Sequence, residues 1–295
     1  MPSTRDIRRR IKSVKNTSQI TKAMQMVAAS KMRRAQEAAL KGRPYAELIN
    51  RIMQSAGARA NLSLHPLMER REVKTTCVLL ITTDKGLCGA LNSNLLRVVT
   101  NYDTSTTSFV TAGRKGRAFL ARTKRNLLAD FEVGDAFTFA DARSIGKFVT
   151  DLYVGRKVDG VEVLYSNFIN TLTQKPTSTQ LLPITPDTKL EAGLTDTEAA
   201  SGEPKEYGEL GDYEYEPDAE EVLGAILPHY LNYQIWHFLL EAKASEQSAR
   251  MVAMKNATDN AKDLVKDLTL EYNKIRQAAI TNELLEISTA QMALG

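Results

Sequence analysis

Cysteine is scarce in this chain, and what little there is lies poorly placed for cross-linking. Cys77 and Cys88 are the only two in 295 residues. That number and spacing exclude a disulfide framework and a CxxC metal site, and they read as free thiols in a reducing compartment. Long hydrophobic runs are absent too: no uninterrupted apolar stretch approaches the about 20 residues that a bilayer-spanning helix needs. Membrane association is therefore expected only through partners. The opening Met1-Pro2-Ser3-Thr4-Arg5 has no apolar h-region, so no secretory signal is expected. The histidines His65, His229 and His237 form no HExxH motif or i, i+4 pair, and no metal site is expected. Gly113-Arg114-Lys115-Gly116 and Gly146-Lys147-Phe148 lack the GxxxxGK[ST] spacing of a phosphate-binding loop. No coherent Ser-His-Asp or paired-carboxylate arrangement stands out. Aromatics make up only 6% of the chain, which favours long helices of Ala, Ile, Leu, Val and Met over a large aromatic core.

What is present is the balance of a globular protein, 43% hydrophobic and 25% charged. The formal net charge of +4 is unevenly spread. Up to Arg59 the basic residues Arg5, Arg8, Arg9, Arg10, Lys12, Lys15, Lys22, Lys31, Arg33, Arg34, Lys41, Arg43, Arg51 and Arg59 face only Asp6, Glu37 and Glu47. Across 187–221 the balance reverses, with Lys189 and Lys205 the only basic residues. Such asymmetry points to different partners for different segments. A basic N-terminal helix is compatible with nucleic acid, with an acidic protein surface or with a solvated face. The basics are mixed with an Ala/Met seam and lack an aromatic platform, which favours the acidic protein surface.

Residues 4–58 read as one helix. A seven-residue repeat runs Ile7, Val14, Thr21, Ala28, Ala35, Gly42, Ile49, Ala56, and its companion position runs Ile11, Ser18, Gln25, Met32, Ala39, Ala46, Met53. This is a coiled-coil seam with small side chains and a polar middle. Gly42-Arg43-Pro44 is expected to kink or loosen the helix, because proline lacks the amide hydrogen. A second long helix is expected over 218–294, with Asp218, Glu220 and Glu221 at its positive dipole end and a stripe through Ala257, Ala261, Leu264, Leu268, Ile275, Ala278 and Leu285. Helices this long need a partner helix or a surrounding protein.

Between them the period changes. Short β-branched apolar runs at 76–82, 108–112 and 160–166 read as buried strands, and helical stretches at 92–102, 114–123 and 141–153 alternate with them. That alternation predicts a mainly parallel sheet with helices on both faces. The run 179–184 adds an edge strand, as Pro183 permits. The acidic, Gly/Pro/Ser/Thr-rich stretch 185–217 reads as a long loop. The expected fold class is α/β: a long antiparallel coiled coil of the N- and C-terminal helices plus a small three-layer Rossmann-like α/β domain. The expected divisions are 1–60, 70–216 and 217–295.

Directly after the first strand, Thr83-Asp84-Lys85-Gly86-Leu87-Cys88-Gly89-Ala90-Leu91-Asn92 forms a glycine-containing strand-to-helix turn, a usual ligand position in an α/β fold. Its core Asp84-Lys85-Gly86-Leu87-Cys88-Gly89 resembles the hallmark of the gamma subunits of rotary ATP synthases. So do the run 20–32, opening Ile20-Thr21-Lys22-Ala23-Met24, the run 244–260, opening Ala244-Ser245-Glu246-Gln247-Ser248, and the run 272–287, which includes Arg276-Gln277 and Thr281. The four matches lie in order over nearly the whole chain. Three features depart from the family pattern: Ser288-Thr289-Ala290 replaces Ser-Gly-Ala near the end, the acidic loop is longer than in compact bacterial members, and the paired-cysteine regulatory insert of plastid members is absent.

The resemblance implies a non-catalytic rotor subunit. It would carry torque between a proton-driven membrane ring and the catalytic ring of three alpha and three beta subunits, regulating ATPase activity and proton flow. It implies contact with those subunits, the epsilon subunit and the c-subunit ring, and none with nucleic acid. Mg-ATP and Mg-ADP would lie on the partners and no cofactor on this chain. The place would be the cytoplasmic face of a bacterial inner membrane, held peripherally. Lys22 and Met24 resemble contacts to the catalytic beta subunit, with helix–helix packing the other reading of Met24. Arg276, Gln277 and Thr281 resemble axle residues engaging the ring. Tyr213, Tyr215 and Glu216 resemble the foot that meets the membrane ring and epsilon, although the tyrosines could instead cover the sheet domain. Asp84, Lys85, Gly86, Cys88 and Gly89 would form a conformational loop. A shaft in a sleeve is expected to show small, polar or charged surface residues, because large apolar anchors create deep traps. Two readings of another class stay in play: a coiled-coil nucleic-acid tether, and a small-molecule enzyme using the loop 84–89.

Overall fold

The structure is a computed structural model that describes residues 3–59, 65–184, 216 and 218–294. Tyr213, Tyr215 and the acidic stretch, apart from Glu216 and the residues from Asp218 onward, lie outside the described residues. The elements run α1 (Thr4–Arg59), β1 (Thr76–Ile81), α2 (Leu91–Val99), β2 (Thr107–Ala112), α3 (Arg114–Arg122), β3 (Leu127–Phe131), α4 (Phe139–Val154), β4 (Gly160–Phe168), β5 (Gln174–Leu182) and α5 (Ala219–Leu294). The chain divides into two compact units whose boundaries fall inside the two long helices. One comprises 1–28 with 251–295; the other is 29–250.

The larger unit is built on a five-stranded sheet of order β3-β2-β1-β4-β5. The first four strands pair in parallel, and β5 closes the edge antiparallel to β4. β1 shows why the sheet is covered twice. Cys77, Leu79 and Ile81 alternate with Val78 and Leu80, and all five are buried, because successive side chains of a strand point to opposite faces. Val78 and Leu80 meet Leu95 and Val99 of α2, Phe109 of β2 and Leu120 of α3. The opposite face packs under Ile145 and Val149 of α4, Ala46, Ile49 and Met53 of α1, and Leu223, Leu227 and Leu231 of α5. The result is the expected three-layer α/β arrangement.

The helix segments of this unit run antiparallel. Ala35 clusters with Ala244, while the ring of Tyr45, ten residues later, packs at a tilt against Tyr233, eleven residues earlier, with centroids 5.0 Å apart. The helix α1 runs on through Gly42 and Pro44, where the sequence leads one to expect a kink or a looser turn. Tyr233 donates its hydroxyl hydrogen to the Gly42 carbonyl at 2.6 Å, and a Cβ at Gly42 would run into that hydroxyl. Glycine thus permits close helix approach, and packing holds a segment that propensity alone would loosen.

Two further expectations need correction. The strand β3 has no counterpart among the expected ones. It is a short edge strand with Asp130 in it, and tertiary pairing to β2 rather than local pattern makes it a strand. β5 begins at Gln174, earlier than the expected 179, and its edge position accommodates Pro176, whose missing N–H is not needed there.

The smaller unit is a helix pair. On its part of α1 the expected repeat is the buried one: Ile7, Thr21 and Ala28 are buried, while Val14, Ile11, Ser18 and Gln25 are half-buried. On α5 the expected stripe is only partly right. Ala261 and Leu268 are buried, yet Leu264 is 41% and Leu285 57% exposed. The actual seam is Met254, Thr258, Ala261, Val265, Leu268, Tyr272 and Ile275, with steps of four and three. Thr21 and Thr258 meet hydroxyl to hydroxyl at 2.7 Å inside it. In an antiparallel pair this register puts the start of α1 opposite Ile275, and burial on α5 fades there: every position assessed from Ile280 through Met292 is exposed.

Candidate functional site

In an open α/β sheet, ligands settle beyond the carboxyl ends of the strands where the strand order reverses. Here the chain winds outward from β1 to β2 and β3, then crosses to β4 on the other side of β1, so that crevice opens beside Thr82, Thr83 and Ser166. It is filled from within. Leu239, Ala242, Lys243 and Glu246 of α5 lie over it and leave a cavity of about 30 Å³, room for about one water. Ser245 donates to the Ser166 carbonyl at 2.8 Å and locks the helix down.

The N-terminus of α3 is likewise taken. A helix start is a ready anion site because its first N–H groups are unpaired. Here Arg114 N–H donates to the Asp84 carboxylate at 3.0 Å, Lys115 N–H to the Thr83 carbonyl at 3.1 Å and Gly116 N–H to Thr82 Oγ1 at 2.8 Å. Gly113, at φ 115°, makes the turn that lets β2 approach the Thr82 carbonyl; a side chain there would be both strained and crowded. The glycine that hinted at a phosphate loop therefore serves a tight β2–α3 turn.

The loop after β1 is tied to itself and to α5. Asn92 donates to Thr83 Oγ1 at 2.7 Å and to Cys88 Sγ at 3.3 Å, and Thr83 Oγ1 donates to the Lys85 carbonyl at 2.7 Å. Leu87 and Gly89 take positive φ values of 63° and 58°. Gly89 adopts that conformation freely and Leu87 does so against its preference. The guanidinium of Arg250 donates to the Gly86 carbonyl at 3.3 Å and to Glu246 Oε1 at 2.7 Å. Asp84, Lys85, Gly86, Cys88 and Gly89 thus sit together as one loop, with Cys88 buried and Lys85 largely exposed.

A second group completes the site. Asp135, in the loop between β3 and α4, receives Lys31 of α1 and Lys243 of α5 at 2.8 Å each, with Lys85 at 3.6 Å. Hydrogen bonds from Lys243 and then Lys31 hold its carboxyl far below the ordinary carboxylate range. Lys243 also meets Glu246 at 3.1 Å, so one chain of charges links α1, the β1–α2 loop, the β3–α4 loop and α5. By contrast Cys77, in the sheet core, has its thiol pushed up to about 12 by burial and is inert. Of the network only Lys85 was expected as a site residue, although Lys31, Glu246 and Arg250 lie in runs that resemble the family. Lys243, Glu246 and Arg250 carry a readable signal, their three- and four-residue spacing on one helix face. Asp135 carries none.

In the smaller unit, Lys22 is exposed and Met24 half-buried, and Arg276, Gln277 and Thr281 are exposed. Arg5, Arg8, Arg9, Arg10, Lys12 and Lys15 are exposed as well. The surface is not uniformly polar as expected. Ile20, Met26 and Val27 are more than half exposed, and so are Leu284, Leu285, Ile287 and Met292. The last four lie on turns of α5 beyond the start of α1, where no described helix covers them. In the larger unit, Glu216 is exposed. The model of the ATP synthase family matches residues 3–294. A curated ATP synthase gamma chain of Opitutus terrae is 52% identical, covering 99% of each chain, and one of Methylacidiphilum infernorum is 48% identical over the whole of both.

The chain belongs to the ATP synthase gamma chain family.

Solved structures agree. The chain is similar to one from the central stalk and c-ring of the Tetrahymena thermophila mitochondrial ATP synthase, with TM-score 0.60, 27% identity, and coverage of 81% of this chain and 99% of that one. A chain from a Euglena gracilis mitochondrial ATP synthase assembly shares the fold at TM-score 0.67 and 22% identity, covering 99% and 94%. This gamma-family chain is thus a subunit of ATP synthase rather than an enzyme by itself. No described helix is long and apolar enough to cross a membrane.

Proposed function

We propose that this gamma-family chain is the central rotary shaft of an F-type ATP synthase, carrying torque between a proton-driven c-subunit ring and a catalytic ring of alpha and beta subunits. The observation that carries it is the 76-residue helix α5, gripped within the larger unit by charge and aromatic contacts and running on to exposed turns that no described helix covers. A torque applied to the sheet unit turns α5 only if helix and sheet cannot slip. The Lys31–Asp135–Lys243 pairs, the Arg250 bridge to the β1–α2 loop and the Ser245–Ser166 bond resist such slip.

In this reading the exposed cations of α1, Lys22 among them, face acidic segments of the beta subunits in turn, giving angle-dependent attraction among three equivalent partners. Met24 flanks that contact. Arg276, Gln277, Thr281 and the apolar last turns engage the ring at its far end. Glu216, with Tyr213 and Tyr215, belongs to the foot that meets the c-ring and the epsilon subunit. The asymmetry of the shaft biases each catalytic site differently, so turnover and proton flow are regulated through it, with Mg-ATP and Mg-ADP on the partners. The complex holds the chain peripherally at the cytoplasmic face of a bacterial membrane.

The test is single-molecule rotation. Ser105→Cys, on an exposed turn, carries a gold bead on a complex reassembled with alpha and beta subunits that are fixed to a surface. Stepwise turning of the bead on addition of Mg-ATP is expected. Steady ATP hydrolysis with a stationary bead would overturn the shaft reading.

A further inference from the structure

A groove of about 370 Å³ opens on the larger unit, lined by Lys31, Arg34, Ala35 and Ala38 of α1, Asp135, Ala136 and Phe137 of the β3–α4 loop, and Trp236, Leu240 and Lys243 of α5. Its size falls in the range of small-molecule sites. Its chemistry is two-sided. Trp236, the only tryptophan of the chain, forms an edge-to-face pair with Phe137 at 4.9 Å. With Leu240, Ala35 and Ala38 these rings make an apolar wall. Against it stand three cations, Lys31, Arg34 and Lys243, and a single carboxylate, Asp135. Asp135 is spent on the two lysines, whereas Arg34 is exposed and makes no ion pair or hydrogen bond among the described residues.

We propose that this groove binds a small amphipathic carboxylate, an aryl or short acyl acid whose apolar part lies on Trp236, Phe137 and Leu240 and whose carboxylate accepts hydrogen bonds from Arg34. Arginine presents a planar fork of donors suited to a carboxylate. Lys31, which uses one of its three N–H donors on Asp135, adds positive field beside it. A fully hydrated anion such as phosphate gains nothing from the aromatic wall, and a neutral apolar molecule gains nothing from Arg34, so the site selects a ligand that carries both parts. The inference rests on the groove alone and is independent of the rotor reading.

The single tryptophan reports on the site directly. The full chain is excited at the red edge of tryptophan absorption and titrated with 4-phenylbutyrate, and separately with 4-phenylbutan-1-ol as the neutral counterpart. A saturable emission change is expected, with the acid at least tenfold tighter than the alcohol and weakened by added salt as a partly exposed charge contact should be. Arg34→Glu, at an exposed position, is expected to weaken the acid at least tenfold. Ala38→Leu, which narrows the groove, should weaken acid and alcohol alike. No saturable change overturns the proposal. Equal affinity for acid and alcohol does so too, as does acid binding indifferent to Arg34→Glu.

Discussion

The two units use the same pair of helices in opposite ways. In the larger unit α1 and α5 are seated by large side chains and by charges that reach the loops of the sheet: Tyr230, Tyr233, Leu227 and Ile235 are buried, Asp135 pairs with Lys31 and Lys243, and Arg250, held by Glu246 on its own helix, reaches the Gly86 carbonyl. In the smaller unit the seam is thin. Its described buried residues are Ile7, Thr21, Ala28, Met254, Thr258, Ala261 and Leu268, and its seam hydrogen bonds are those of Ser18 and Thr21 with Thr258. The difference separates grip from fit. A segment that must transmit force to a sheet needs contacts that resist sliding. One that must turn inside a sleeve is better kept slim, and small seam residues allow two helices to approach closely.

The contrast can be broken most severely at Arg250. Its side chain is only 10% exposed and neutralises Glu246, itself 8% exposed. Arg250→Ala leaves that carboxylate facing Lys243 alone and the Gly86 carbonyl unsatisfied. A loss of about 2 kcal/mol is expected, because a buried carboxylate loses a charge-assisted hydrogen bond while Lys243 still neutralises part of its charge. Urea unfolding followed by Trp236 emission measures it, and a change below 1 kcal/mol, the range of exposed pairs, would mean that the network does not grip α5.

A smaller effect is expected where the helices touch through Gly42. Gly42→Ala should cost about 1 kcal/mol, the lost Tyr233 hydrogen bond and the crowding outweighing the better helix propensity of alanine. Tyr233→Phe removes the crowding hydroxyl, and the ring carbon behind it would sit 3.4 Å from the new Cβ. In that background Gly42→Ala should instead stabilise, by up to about 1 kcal/mol. Equal effects in both backgrounds would show that the hydroxyl contact does not set the helix spacing.

The thin seam offers a matched cycle. Thr21→Val or Thr258→Val removes the shared bond and leaves the other hydroxyl only the carbonyl of its own helix, Met254 or Ser18, at about 1 kcal/mol each. The double variant, with two apolar groups of similar shape, should recover most of it. Amide exchange over 251–275 follows the change within that unit. Additive losses would mean that the hydroxyls do not bond to each other.

The mildest prediction concerns pH. Asp135 has a lowered folded pKa, so its contribution is fully present above its ordinary value of 3.8 and fades as pH falls through the depressed folded value. Asp135→Asn should therefore be less stable than the parent at neutral pH, with the gap narrowing as pH drops below about 4. A gap that is constant from pH 7 to pH 3 would assign the effect to packing rather than to charge.

Much of the fold was legible because it repeats. The α1 seam follows a strict seven-residue step, and each position of that repeat whose burial is described is buried or half-buried. On α5 the same reasoning chose Leu264 and Leu285, because leucine looks like core. The true seam runs through Thr258 and Tyr272, whose polarity hides their place. The strand β3 was missed since five residues including Asp130 carry too little local signal against a pairing with β2. For the loop 84–89, sequence located the turn but not its use.

Helix lengths, strand–helix alternation and the α1 seam were determined by the sequence itself, because each is written as a local period that backbone geometry converts directly into structure. Family membership was equally legible, in four runs of residues kept in order. Only the tertiary structure decided that α5 fills the crevice at the sheet's carboxyl edge, that Thr82, Thr83 and Asp84 occupy the start of α3, and that lysines at 31, 85 and 243 converge on Asp135. Those are encounters between segments far apart in the chain. Their physical cause is the packing of helices on a sheet, where burial of apolar faces sets the positions and the charges then find whichever partners those positions bring within reach.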